Sequence, residues 1–413
     1  MLIANEVYKK EIFSKDWMEQ LLHHTNNLED YALIPNLLIQ PDYINNELKY
    51  AFSQIKDKDE KPILRIFTDN GQRYDLLEEI KNATFAPENN LDSWIKETIG
   101  HKEYCLTFNG ITKWNNQLHT QLTKDVVRKV VDSVGVPLAG VDTYAFIANG
   151  GYTPFGIHED PDHSLIFHLG PDEKHVWIWK RTDYLKLTGG KNDRRFDLEN
   201  LVPYADHFVM KPGDCLFIPK GDFHVFENVG YSSFLGFILY PSNSITIGHE
   251  GINMLAERNG NNSLYFVKED ELKNSIYEQI NRITLPADNS VEEGLKKGAY
   301  FYHLLLKSNG YAIHKPYIDK VQQVNYDNKT LQKPSCFPIL HETYNGKITI
   351  FVRGRLLELK NIQGIVEAMD VLNAVQEVSY KELLETLANF IPLEVAKILL
   401  DCIIHYKGLY VKE

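Results

Sequence analysis

Between Val141 and Tyr240 short β-like runs alternate at close intervals with Gly, Pro and Asp turns, and this pattern constrains the chain more than any other feature. Such spacing builds an antiparallel barrel or sandwich. Two segments inside it carry candidate chemistry. The first reads Gly156-Ile157-His158-Glu159-Asp160. The second runs from Lys211-Pro212-Gly213-Asp214 through Cys215-Leu216-Phe217-Ile218 to Pro219-Lys220-Gly221-Asp222-Phe223-His224.

Residues i and i+2 of a strand share a side. His158 and Asp160 therefore point the same way, and Glu159 points away. In the second segment a tight Pro-Gly-Asp turn, a strand and a Pro-x-Gly bend lead into His224. Two imidazoles and one carboxylate form the set that holds a non-haem Fe(II) on one face and leaves the opposite positions open. A His-x-Asp triplet alone is weak in a chain with 15 histidines, where a solvated loop pair explains it equally well. The turn, strand, bend and histidine together favour metal ligation by His158, Asp160 and His224.

The 413 residues suit two or three domains. A net charge of −12 argues against a sequence-independent nucleic-acid binder, which needs a basic face, and leaves room only for a local basic patch. Cys105, Cys215, Cys336 and Cys402 have no CxxC spacing, so they read as small hydrophobes in a reducing compartment. The N-terminus lacks the apolar stretch of a signal peptide, and no apolar run spans a bilayer. The expectation is a soluble cytoplasmic protein without a membrane partner.

Four regions are expected. Residues 1–125 are mixed and support the barrel. They hold a helix capped by Ser14, a strand Ile63–Thr68 before the hairpin signal Asn70-Gly71, and a strand over 103–108. Residues 126–242 hold the barrel core, entered by a helix that Thr123 caps and whose buried stripe is Val126, Val127, Val130, Val131 and Val134. Residues 243–335 are helical, with helices over about 268–283 and 291–308, the second capped by Ser290. Residues 336–413 contain a hairpin of 348–352 with 355–359, a capping box Ser379-Tyr380-Lys381-Glu382, and a helix opened by Pro392. Helices followed by a small hairpin suggest a winged-helix shape.

On these motifs, and on Asn228 through Tyr231-Ser232-Ser233 after the last histidine, the chain resembles the JmjC-type cupin oxygenases. Its layout is similar to that of their ribosomal-oxygenase branch. The resemblance implies an α+β chain with a mainly β core: a double-stranded β-helix (jelly-roll, cupin) barrel, then a helical dimerisation segment and a winged-helix-like C-terminal domain. It implies Fe(II), 2-oxoglutarate and O₂ as reactants, with succinate and CO₂ released as a substrate side chain is hydroxylated. It places Lys174 at the distal carboxylate of 2-oxoglutarate, with Lys180 and Arg181 as fallbacks, and Ser164 in contact with the cosubstrate. A buried carboxylate needs a charged partner, although Lys174 also reads as a turn lysine after Gly170-Pro171-Asp172-Glu173.

His168 reads as a satisfied core or supporting histidine, Trp177 and Trp179 as barrel packing, and Asp222 as a surface or rim carboxylate. Phe155 departs from the Thr or Ser that several relatives carry three residues before the first histidine. The implied substrate is a protein or peptide, such as a ribosomal protein or a natural-product precursor, and the implied assembly is a homodimer. The acidic chain is compatible with a basic target. The rival readings are a small metabolite or amino acid as substrate, another metal such as Mn or Ni in the same ligands, and a non-catalytic cupin/winged-helix scaffold.

Overall fold

The computed structural model describes residues 11–69, 71–241, 243–259, 290–320, 324–344 and 346–412. They form two compact units. The first draws on Met1–Tyr240 and Ala312–Gln322, the second on Pro241–Tyr311 and Gln323–Lys412.

The first unit is built on a large antiparallel sheet. Its strands are β1 (Ala32–Ile34), β2 (Ile63–Thr68), β3 (Gly71–Gln72), β4 (Tyr104–Asn109), β5 (Val141–Tyr152), β6 (His158–Glu159), β7 (His163–Pro171), β8 (Lys174–Trp179), β9 (Asp206–Met210), β10 (Cys215–Ile218) and β11 (Phe223–Leu239). The main path runs β1-β10-β7-β11-β5-β4-β2-β3. β11 is its hub. Residues 223–228 pair with β8, Phe223 and His224 also with β6, and 232–239 with β7, while β5 pairs along most of the strand. The register shifts between Asn228 and Tyr231, where the strand passes from one set of neighbours to the next.

The pleat sorts the side chains. Lys174, Val176 and Ile178 of β8 face inward, and Trp177 and Trp179 face outward with Phe223 and Val225 of β11. The inner cluster gathers Cys105, Phe146, Ala148, Ile166, Val176, Ile178, Met210, Leu216, Ile218, Phe226 and Phe234. On the outer face of β7, Phe167 packs against Phe13 and against Trp17 of the helix Trp17–His24. Trp177 and Trp179 are packing residues, as expected.

Two helix starts differ from expectation. The first helix begins at Trp17 with Asp16 at its N-cap, and Ser14 contributes only a carbonyl to the Trp17 amide. Thr123 caps nothing. The helix opens at Asn115, whose side chain accepts from the Leu118 amide, and continues to Val134 through a π turn over Thr123–Val127. Val126, Val127 and Val130 are buried, whereas Val134 is exposed.

In the second unit, helices Ser244–Asn259 and Val291–Ser308 meet at Gly251 and Gly298. A Cβ on Gly251 would press on the Leu295 carbonyl, and one on Gly298 would strike the Gly251 backbone. The Ser290 hydroxyl accepts from the Glu293 amide at 3.2 Å, as the cap predicts. The helix expected over 268–283 lies outside the described residues. Further on, β12 (Thr330–Gln332), β16 (Glu377–Ser379) and β17 (Tyr410–Lys412) form one small sheet. β13 (Leu340–Tyr344), β14 (Lys347–Val352) and β15 (Arg355–Lys360) form another. The expected hairpin closes at Val352 opposite Arg355. Ser379 caps the helix Tyr380–Ala388, and Pro392 precedes the helix Leu393–His405. Among the described residues no helix is long and apolar enough to cross a membrane.

Candidate metal centre

His224 sits at the start of β11 directly opposite His158 on β6. Asp160 follows two residues after His158, and its carbonyl is fixed by the Gly221 amide at 3.1 Å. The three side chains converge, with one ligand atom of each within 4.8 Å of the others. The Nε2 atoms of His158 and His224 each lie 3.8 Å from an Asp160 carboxylate oxygen, and the two rings are 4.5 Å apart. Among the described residues no other group of three His, Cys, Asp or Glu side chains comes this close.

The rings are oriented from behind. Nδ1 of His158 is 2.9 Å from the Gly156 carbonyl, and Nδ1 of His224 is 3.3 Å from the Asp222 carbonyl. A carbonyl only accepts, so each Nδ1 carries the proton and each Nε2 presents a lone pair to the shared space. Burial, and next the neighbouring His224, hold the His158 imidazole down to about 4. It is neutral at physiological pH, as a metal ligand must be.

Ser164, at the start of β7, turns its hydroxyl to Asp160 and donates to Oδ2 at 3.2 Å. Tyr144 on β5 lies within hydrogen-bond reach of Ser164, and its ring fills the space that a side chain at Gly236 would occupy. Asp222 differs from expectation. It is buried, accepting from the Arg181 amide at 3.0 Å with Lys180 3.6 Å away, because the bend before β11 folds it under the helix Arg181–Leu187. Burial raises its carboxyl pKa. Glu159 points away, as alternation requires, and pairs with Arg181.

Lys174 is fully buried. Its ammonium lies 4.8 Å from the Phe146 ring centroid, 5.1 Å from Phe234 and 6.0 Å from Phe226. Its hydrogen-bond partner is the Asn228 side-chain oxygen, which also accepts from Ser232 at 3.2 Å. Burial pulls the Lys174 pKa from 10.5 down to about 7. The fallbacks lie elsewhere, with Lys180 paired to Asp30 and Arg181 to Glu159. His168 is also fully buried, with Nε2 2.8 Å from the Asp172 carbonyl, and burial brings its pKa down to about 4.

A cavity of about 820 Å³ borders these residues. Its lining includes Gly156, whose carbonyl orients His158, and Asn228, which holds Lys174. Asp69 and Glu103 bring carboxylates to the wall, and Tyr152 and Phe196 bring exposed rings. Sequence reasoning missed the supporting role of Tyr144. The only available signal was its inward parity with Phe146 on β5.

No protein-family model matches the chain, and no curated protein matches it in sequence. Solved structures do match in fold. The ribosomal oxygenase YcfD from Escherichia coli is 12% identical, with a TM-score of 0.50 over 97% of this chain and 99% of that one. YcfD with cobalt and succinic acid gives a TM-score of 0.51 at 12% identity over 98% and 100%. YcfD with cobalt and 2-oxoglutarate gives 0.50 at 13% identity over 98% and 100%. The resemblance read from the motifs is borne out in the fold: the chain is built like the ribosomal oxygenase YcfD.

Proposed function

We propose that the chain is an Fe(II)- and 2-oxoglutarate-dependent oxygenase that hydroxylates a side chain of a protein or peptide. The observation that carries this reading is the buried Lys174 on the same inward face of the sheet as the metal trio. Lys174 lies opposite Asn228, and Ile178 opposite His224, on one inward face of the β8–β11 pair. A buried ammonium bound to a neutral amide lacks the counter-charge that its burial demands. The distal carboxylate of 2-oxoglutarate supplies one. The cobalt and 2-oxoglutarate complexes of YcfD support the same pair of ligands.

The residues present fit both groups. His158, Asp160 and His224 would hold the metal through two neutral imidazoles and one carboxylate. Bound Fe(II) would let O₂ react with the keto acid, releasing succinate and CO₂ and hydroxylating the substrate. The protein's own part is positional. Gly156 and Asp222 fix the imidazole tautomers, and Ser164 holds Asp160 and would border the cosubstrate. Asn228 aims Lys174, and Phe146, Phe226 and Phe234 keep water from its ammonium. The large cavity with exposed rings at its wall supports a polymeric substrate.

In the second unit, helices Ser244–Asn259 and Val291–Ser308 carry exposed Ile245, Ile252, Val291 and Tyr300, which supports a homodimer. We read the part from 336 onward as winged-helix-like.

The test is an anaerobic titration of the Fe(II)-loaded protein with 2-oxoglutarate, following the visible metal-to-ligand charge-transfer band. A band that Asp160→Ala abolishes and Lys174→Ala weakens supports the proposal. Bound iron without a band overturns the 2-oxoglutarate reading, and failure to bind iron leaves the scaffold reading in its place.

A further inference from the structure

Two arginines from distant parts of the chain meet at one ring beside the metal trio. The guanidinium carbon of Arg65, on β2, lies 5.3 Å from the Phe155 ring centroid. That of Arg194, in the loop after the helix Arg181–Leu187, lies 5.9 Å from it. Phe155 itself is 5.7 Å, ring to ring, from His158.

Neither arginine makes an ion pair among the described residues, and Arg65 donates only to the Thr107 hydroxyl at 3.1 Å. By contrast, Lys180 pairs with Asp30, Arg181 with Glu159, and Arg195 with Asp197. In a chain of net charge −12, two unpaired guanidiniums on one ring concentrate positive potential at that spot.

Arg194 is held there by its neighbours. Arg195 exchanges both backbone hydrogen bonds with Ile157, at 2.8 and 3.1 Å. Gly156 has no side chain where the Arg195 carbonyl and the Phe196 ring close in. Arg65 is held by β2, whose inward side also carries Phe67, and Phe67 packs edge-on against Phe155 at 5.1 Å.

We propose that Arg65 and Arg194 form a subsite for an oxyanion of the substrate, a carboxylate or a phosphate, seated against Phe155 at the metal trio. Guanidiniums match such groups with two parallel hydrogen bonds, and a bound anion removes the repulsion between the two cations. The subsite is separate from the buried Lys174, which the proposed function assigns to 2-oxoglutarate. Where the overall charge favours a basic target, this local pair selects an acidic group beside the carbon to be oxidised. The inference rests on the proposed oxygenase reading only for what happens to the substrate once it is seated.

The test follows the arginine Nε–H resonances of the full-length protein, with Zn(II) added, assigned through Arg65→Lys and Arg194→Lys. The probes are N-acetyl-L-aspartate amide, inorganic phosphate and N-acetyl-L-lysine amide, each with and without saturating 2-oxoglutarate. Both resonances should shift together and saturate with aspartate or phosphate, and remain still with lysine. The tighter of the two anions identifies the source of the group. Arg65→Gln or Arg194→Gln should weaken that binding about tenfold or more. The proposal is overturned if neither anion moves both resonances, or if the lysine probe moves them equally. It is also overturned if 2-oxoglutarate alone moves them and blocks the probes, which would assign the arginines to the cosubstrate. A charge-transfer band that fails only in Lys174→Ala and Asp160→Ala bears on the oxygenase reading and leaves this result untouched.

Discussion

Lys174 on β8 stands opposite Asn228 on β11, and the buried ammonium is bound to the amide oxygen. An amide satisfies a hydrogen bond but leaves the charge unbalanced. Folding is therefore expected to carry a cost at this residue, either as a desolvated cation or as the proton given up to avoid one, and a ligand carboxylate would relieve it. In Lys174→Met the apolar side chain fills the same space among Phe146, Phe226 and Phe234. The ligand-free variant should be more stable than the parent by about 1–4 kcal/mol, and 2-oxoglutarate binding should be lost. Urea unfolding of the metal-free proteins checks the first half and the charge-transfer titration the second. A less stable variant would mean that the ammonium is already balanced.

The same lysine predicts a pH dependence. Its pKa is 10.5 in the unfolded chain and about 7 in the folded one. Between those values the unfolded chain holds a proton that the folded chain does not. The stability of the ligand-free protein should therefore rise with pH from about 7 to about 10.5 through this group. A carboxylate at the ammonium reverses the effect of burial, so binding 2-oxoglutarate at about pH 8.5 should take up close to one proton. Calorimetry in two buffers of different ionisation enthalpy measures that uptake. Lys174→Arg, always protonated, should show none.

Ser164 reaches Asp160 from the start of β7. Removing its hydroxyl leaves the three ligands in place but frees the carboxylate to rotate. Ser164→Ala should weaken metal binding about 10- to 100-fold, whereas Asp160→Ala should abolish it. Competition with a chromophoric chelator separates the two. Equal affinity in Ser164→Ala and the parent would show that the backbone at Asp160, held by the Gly221 amide, orients the carboxylate without the hydroxyl.

The trio could be read from the sequence because each ligand lies in a segment whose local rules are strong: strand parity for His158 and Asp160, and a turn, strand and bend for His224. Lys174 needed the family resemblance, since its spacing alone also fits a turn. Other features depend on contacts without a local signature. Asp222 looks like a rim residue until the helix Arg181–Leu187 is seen to cover it. Thr123 looks like a cap because the preceding residues Asn116–Leu122 are mostly polar, and they are nonetheless helical behind Asn115. Arg65, Phe155 and Arg194 belong to three stretches with no shared periodicity, and only the folded chain brings them together. Phe155 entered the sequence reading merely as a departure from relatives.

Gly156 joins the metal trio to the loop that carries Arg194. Its φ of +62° is in the left-handed region, and its carbonyl orients His158. A Cβ there would meet the Arg195 carbonyl and the Phe196 ring. Gly151 makes a useful contrast: its φ is +76°, but nothing lies within 4 Å of its Cβ position. Alanine at either site should cost about 1–2 kcal/mol of backbone strain. Only Gly156→Ala should also push the loop off Ile157. Trypsin should then cut after Lys191 or Arg194 several-fold faster in Gly156→Ala than in Gly151→Ala at matched global stability, because local opening exposes those bonds. Equal cleavage rates would mean that the pair of hydrogen bonds between Ile157 and Arg195 holds the loop without help from the glycine.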